Sequence, residues 1–259
     1  MATRKSDTFL SFPVTTGTYD EILKEIIARS YRGISYNVCI ANAHMVVTAW
    51  LNSDFAPAIR KADIVTPDGL PVTWAMRLLL GIRQERVAGM DLLPDLISKA
   101  EEESIPVFFY GGTHDMLKTT RKYLDTHYPN LNFAGAYCPP FRALTENEEN
   151  QVADIINESG ARMVFVVLGC PKQEKWMDAM KHKISAVMVG VGGALPVMTG
   201  MQKRAPLWMQ QSGLEWLYRL GQEPKRLFKR YAVTNTIFLA LLAMEFVKLK
   251  VMRLKPVFQ

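Results

Sequence analysis

From about residue 19 to residue 200 the chain alternates short apolar runs with stretches in which apolar residues recur at helical spacing. Tyr19 to Ser30 has that spacing and predicts an amphipathic helix, and Ala43 to Leu51 predicts another. Between them Tyr36 to Ala41 reads as a strand. Met163 to Leu168 is the clearest of the apolar runs: it has no polar interruption and is rich in β-branched residues, as a parallel strand covered on both faces requires. Further strands are expected just before Thr66, at Pro106–Tyr110, at Leu131–Tyr137 and at Ala186–Val191. Helices are expected at 71–80, 90–102, from Thr113 to about His127, at 146–159 behind a Thr145/Glu148 capping box, and at 173–181. Strict alternation of this kind predicts an α/β fold, a Rossmann-like parallel sheet of about six strands with helices on both faces.

Several strand ends carry chemistry. In open α/β sheets ligands bind at the carboxyl ends of strands, where the first turn of the next helix offers free N–H groups to an anion. Gly169-Cys-Pro-Lys-Gln-Glu174 follows the central strand and puts Lys172 and Gln173 in that position, although a merely solvated first turn has the same composition. Thr66-Pro-Asp-Gly69 puts Asp68 at a second junction, where capping is the commoner role of an aspartate. Gly111, Gly112 and the Gly190-x-Gly192-Gly193 cluster mark two more junctions, and one cleft could collect them all. Asn42 is placed to cap the helix that begins at Ala43. His44, a lone histidine with no second ligand at metal spacing, receives no role.

Charge and composition add an appendage. Eleven Lys and Arg face three Glu from Lys203 onward, while the rest of the chain is slightly acidic. This basic segment interleaves Trp208, Trp216, Tyr218 and Tyr231 with Arg219, Lys225, Arg226, Lys229 and Arg230, which predicts a helical basic appendage over 201–259 beside an α/β domain over 1–200. Its apolar run 237–244 falls short of the ~20 residues needed to cross a bilayer, so the reading is a segment lying on an anionic membrane surface. The alternative is a hairpin packed on the core or on a subunit neighbour, as in a homo-oligomer. The first residues are polar with no apolar stretch behind them, which predicts a cytoplasmic protein. Cys39, Cys138 and Cys170 are odd in number and widely spaced, and read as reduced thiols near the core.

Absences narrow the chemistry. No Asp-x-Asp and no His or Cys pair at metal spacing occurs, so neither a bridging metal nor a cofactor is indicated; no P-loop or complete dinucleotide fingerprint occurs either. A nucleotide-sugar transferase suits the cleft. An oxidoreductase using Gly190–Gly193, or a non-enzymatic membrane or nucleic-acid binding module using the tail, remain as rivals, and no nucleic-acid-binding motif supports the last.

Pro67-Asp68-Gly69, Arg86-Val-Ala-Gly-Met-Asp91, Phe109-Tyr-Gly-Gly112, Gly169-Cys-Pro-Lys-Gln-Glu174, Lys203-Arg-Ala-Pro206 and Gly213-Leu-Glu-Trp-Leu-Tyr-Arg219 stand in this order, followed by Glu223-Pro-Lys-Arg226 and Arg230-Tyr231. Together they resemble the WecG/TagA/CpsF glycosyltransferases, family 26, over nearly the whole chain. The resemblance implies an inverting, metal-independent enzyme that moves a sugar from a UDP-sugar to an undecaprenyl-diphosphate-linked saccharide at the cytoplasmic face of the membrane. The sugar implied is N-acetylmannosamine, its uronic acid or glucose. It implies Asp68 as general base, Arg86 as the arginine that offsets charge on the diphosphate, and Gln173 as the cleft glutamine that holds the donor or its leaving group. Asn42, Gly69, Gly111, Gly112, Lys172 and Gly192 are expected around the donor, and Arg219, Arg226 and Arg230 on the lipid diphosphate. Ile40 stands where some members carry Thr, and Cys170 replaces an Ala.

Overall fold

A computed structural model of the chain describes residues 6–10 and 12–254, so the first and last five residues, which include the end of the expected appendage, lie outside it. Six strands form one parallel sheet: β3 (Tyr36–Ala41), β4 (Ile64–Pro67), β5 (Val107–Gly111), β6 (Phe133–Tyr137), β7 (Met163–Val167) and β8 (Val187–Gly190). Their order across the sheet is β4-β3-β8-β7-β5-β6. The last strand in sequence therefore inserts beside the first, and the crevice at this crossover opens over the carboxyl ends of β3, β8 and their neighbours.

Five of the six strands are buried on both faces, β6 at the edge being partly open to solvent, and the pleat sorts their side chains. Cys39 and Ala41 of β3, Phe108 and Tyr110 of β5, and Val164 and Val166 of β7 enter one apolar core. Val38, Ile40, Val107, Phe109, Met163 and Phe165, the alternate residues, enter the other. This is why the strands read as unbroken apolar runs. Helices α1 (Tyr19–Ser30), α5 (Gly89–Glu102) and α6 (His114–His127) cover the second core; α2 (Ala43–Leu51), α3 (Ala56–Arg60), α4 (Leu70–Leu80), α7 (Glu146–Glu158) and α8 (Lys172–Met180) cover the first. The predicted Thr145/Glu148 capping box is present at α7, and an unpredicted one joins Thr18 to Glu21 at α1.

Two features differ from the sequence expectation. An antiparallel hairpin of β1 (Ser6–Phe9) and β2 (Phe12–Thr15) precedes the sheet, and Thr15 Oγ1 accepts from Val65 N–H (3.1 Å), which shields the β4 edge. The C-terminal segment forms short helices α10 (Leu207–Gln211) and α11 (Glu215–Gln222) and then α12, one unbroken helix from Pro224 to Leu254. Its Pro224–Lys250 portion is long and apolar enough to cross a membrane by length and composition, which corrects the expectation based on 237–244 alone. Polar Thr234, Asn235 and Thr236 do not interrupt the helix, because Leu227, Thr234, Phe238 and Leu241 share a buried stripe, from which Phe238 enters the first core. α12 packs on α2 and α4.

Candidate active site

Asp68 leaves β4 with its N–H bonded to Ala41 O at the end of β3 (2.9 Å). The next residue, Gly69, has φ +87° and is itself the cap residue of α4, whose N-terminus has no side-chain cap bond. The Asp68 carboxylate is thus free of the capping role that its sequence context suggests. Asn42 caps α2 through Oδ1, which accepts from Met45 N–H (3.1 Å), and its side chain also hydrogen-bonds Asp68. With Oδ1 turned to the helix, the Nδ2 amide is the group that donates to the carboxylate. Burial, and then the negative Glu215, push the Asp68 pKa up to about 6 against the opposing pull of Arg86, Asn42 and Arg219.

Two hollows meet at this carboxylate. One, of about 180 Å3, lies between α4 and the C-terminal segment and is lined by Gly69, Pro71, Arg204, Glu215 and Trp216 among others. The other, of about 340 Å3, lies over β7 and β8 and is lined by Gly169, Cys170, Gln173, Gly190, Gly192 and Arg226. Asn42, His44, Asp68, Arg219 and Arg230 line both. Arg219 comes from α11 and lies so close over the end of β8 that a Cβ on Gly193 would stand 2.8 Å from its guanidinium, so a larger residue at 193 would displace the end of the arginine side chain. Burial, then Arg226 and Arg219, pull the pKa of Arg230 down from its ordinary value. Three like charges gathered at one wall, with Glu223 bonding Arg226 as their carboxylate partner, form a site suited to an anion.

Gln173 and Glu174 are buried, not a solvated turn. Gln173 Nε2 donates to Glu174 Oε1 (2.7 Å) and Gly190 O (3.2 Å), and its Oε1 accepts from Gly169 N–H (3.1 Å). The amide therefore ties the turn after β7 to the end of β8, and its contribution to the second hollow is to set the hollow's shape. Burial raises the Glu174 pKa to about 7. Burial and Glu174 also raise that of the Cys170 thiol, which keeps it protonated and a poor nucleophile.

The remaining expected residues fall outside the hollows. Arg86 donates to Asp91 Oδ2 (2.8 Å) at the start of α5 and to Glu215 Oε2 (2.9 Å) on α11, while Arg204 bonds the other oxygen of Asp91. Both edges of the Arg86 guanidinium are thereby engaged in holding the C-terminal segment against the sheet domain. A Cβ on Gly111, at φ +106°, would stand 2.6 Å from Val167 O, so close strand packing alone requires glycine there; Cβ on Gly112 would meet Met116. Lys172 is exposed and lines neither hollow. Conversely, His44, Arg204, Glu215 and Trp216 line the cleft although the sequence reading assigned them no role: Arg204, Glu215 and Trp216 stand inside the Lys203–Pro206 and Gly213–Arg219 motifs, which pointed to the family as a whole. The signal for His44 was its place two residues after Asn42, in the helix turn that faces the cleft.

The family model described as Glycosyl transferase WecG/TagA/CpsF family matches residues 8–251. The chain is 32% identical over 203 residues to the N-acetylglucosaminyldiphosphoundecaprenol N-acetyl-beta-D-mannosaminyltransferase of Bacillus subtilis (strain 168), covering 76% of this chain and 77% of that protein. It is 34% identical over 190 residues to the protein of the same name from Bacillus spizizenii (strain ATCC 23059 / NRRL B-14472 / W23), covering 73% and 72%.

Proposed function

The chain belongs to the WecG/TagA/CpsF glycosyltransferase family, and from that premise we propose that it is an inverting, metal-independent enzyme that transfers N-acetylmannosamine from UDP to a polyprenyl-diphosphate-linked N-acetylglucosamine. The observation that carries this reading is the Asp68 carboxylate, uncapped and half-buried on the wall common to two hollows, one for each substrate. The hollow over β7 and β8 takes the UDP-sugar at the carboxyl edge of the sheet. The hollow under the C-terminal segment takes the lipid-linked acceptor. The names of the two Bacillus relatives support the choice of transferred sugar and acceptor.

In this mechanism Asp68 removes the proton of the acceptor hydroxyl while that oxygen attacks the anomeric carbon and the bond to the UDP oxygen breaks on the opposite face. A base pKa near 6 suits this task, being high enough to accept a proton and low enough to be ionised at neutral pH. Arg219, Arg226 and Arg230 offset the diphosphate charges by charge-assisted hydrogen bonds in place of a divalent cation. Asn42 orients the Asp68 carboxylate, and Gly69, Gly192 and Gln173 shape the walls. Arg86 acts at one remove, by seating α11 so that Arg219 reaches Gly193. The division near residue 200 into a catalytic unit and an acceptor-binding appendage follows from these roles.

The test is a mass-resolved transfer assay with a panel of UDP-sugars, a polyprenyl-diphosphate-N-acetylglucosamine acceptor and EDTA. Product from UDP-N-acetylmannosamine at a rate that EDTA leaves unchanged is expected; a rate abolished by EDTA and restored by a divalent cation would overturn metal independence, and product from another donor alone would overturn the sugar.

The appendage also proposes a location, the cytoplasmic face of the membrane. Phe228 and Leu239 of α12 and Leu207 and Trp208 of α10 are well exposed, and Lys225, Lys229, Lys248 and Lys250 flank them on the chain. Apolar side chains set among cations suit an anionic lipid interface. Phe228→Glu with Leu239→Glu should cut flotation with phosphatidylglycerol vesicles by about tenfold or more, since each apolar side chain withdrawn from water contributes about 1.5–3 kcal/mol. Equal flotation of the variant and the parent would remove these residues from the contact.

A further inference from the structure

The proposed reaction makes no use of His44, yet its ring lines both hollows beside Asn42, Asp68 and Arg230. Its Nδ1 lies 3.3 Å from Thr234 Oγ1 on α12. Thr234 is 4% exposed. Thr48, Thr120, Thr126 and Thr199 each donate to the main-chain carbonyl four residues earlier, but among the described residues the Thr234 hydroxyl has the His44 ring as its hydrogen-bond partner. With the hydroxyl donating to Nδ1, the ring carries its own hydrogen on Nε2. Burial, and then the Arg230 guanidinium, hold the His44 pKa down at about 4, so the ring is uncharged near neutral pH. No acceptor among the described residues meets Nε2, and that atom is not enclosed by protein, so it opens on the cleft. The arginines already supply positive charge for phosphate oxygens; a neutral donor at the junction of the hollows matches a hydroxyl instead.

We propose that His44 binds the transferred sugar, donating from Nε2 to one of its hydroxyl oxygens where the two hollows join, and that Thr234 of α12 sets the ring for this contact. The inference rests on the glycosyltransferase reading and adds to it a residue that selects the sugar.

His44→Gln and His44→Asn separate this role from a structural one. The Gln amide reaches the position of Nε2 and gives up Nδ1; the Asn amide reaches Nδ1 and gives up Nε2. Calorimetric affinities for UDP-N-acetylmannosamine and for UDP, melting temperature, and turnover with the polyprenyl-diphosphate acceptor would be measured for both and for the parent. The Asn variant should bind the UDP-sugar and turn over about tenfold more weakly, the worth of one hydrogen bond to sugar, with UDP affinity unchanged, while the Gln variant stays close to the parent. A fully active Asn variant would overturn the proposal. So would losses in both variants that track a fall in melting temperature, because the ring would then serve only the seam between α2 and α12. A parent that transfers no sugar from any UDP donor would instead overturn the reading of the reaction, and this inference with it.

Discussion

Asp68→Asn is expected to lower sugar transfer by about 10²- to 10⁴-fold, the range for removing a positioned general base, and at the same time to make the protein more heat-stable at neutral pH. Both effects come from one environment. Burial and the negative Glu215 disfavour the ionised carboxylate and raise its pKa to about 6. A carboxyl group with a raised folded-state pKa binds its proton more tightly folded than unfolded. Its stabilising contribution is fully present below the unfolded pKa, near 4, and is lost as pH rises through about 6. The neutral amide never ionises and escapes that loss, so the melting temperature of Asp68→Asn should exceed the parent's at pH 8 and converge with it at pH 4. Activity of the parent runs the opposite way, since the base must be ionised: kcat/KM should climb with pH through about 6 and then level off. Transfer by the variant within threefold of the parent, or a parent profile flat from pH 5 to 8, would exclude Asp68 as the base.

Arg86→Ala is expected to cost about 10²-fold in transfer, the scale of a displacement of about 1 Å in the reacting groups, without Arg86 touching either substrate. The guanidinium holds Asp91 and Glu215 at 2.8 and 2.9 Å, and with Arg204 on the far side of Asp91 it joins the start of α5, the loop after α9 (Ala194–Met198) and α11. These side chains are 19–32% exposed. Removing the cation leaves Asp91 to Arg204 alone and strands the partly buried Glu215 carboxylate near Asp68, and α11, which carries Arg219, loses its anchor. Amide hydrogen exchange across 215–222 should accelerate in the variant together with the loss of activity. Truncating Glu215 as well should recover stability relative to Arg86→Ala alone, because it removes the stranded charge. Protection of α11 equal to the parent's, combined with lost activity, would return Arg86 to direct contact with the diphosphate.

The elements that could be read along the chain are those whose cause is local or periodic. A strand buried on both faces has to be apolar throughout, as Met163–Val167 is, and a capping box such as Thr145/Glu148 closes within three residues. The hairpin at residues 6–15 carries no such mark, because its pairing is supported by Thr15 on Val65, fifty residues away. α12 was underestimated because a count of consecutive apolar residues stops at Asn235, whereas the helix continues once Thr234 is turned inward toward His44.

By itself the sequence determined the α/β architecture, the strand ends at which ligands would sit, and, through the order of its motifs, the family and the candidate base. The tertiary structure decided how those polar groups are employed. It freed Asp68 from capping by giving that place to Gly69, turned Gln173 inward onto Gly169 and Gly190, drew Arg86 onto two carboxylates, and brought His44 to the cleft. The reason is physical. Backbone conformation answers to neighbours within a few residues, whereas the role of a charge or an amide depends on which partners and how much water surround it. In this chain those partners stand as far as 190 residues away, as Thr234 does from His44.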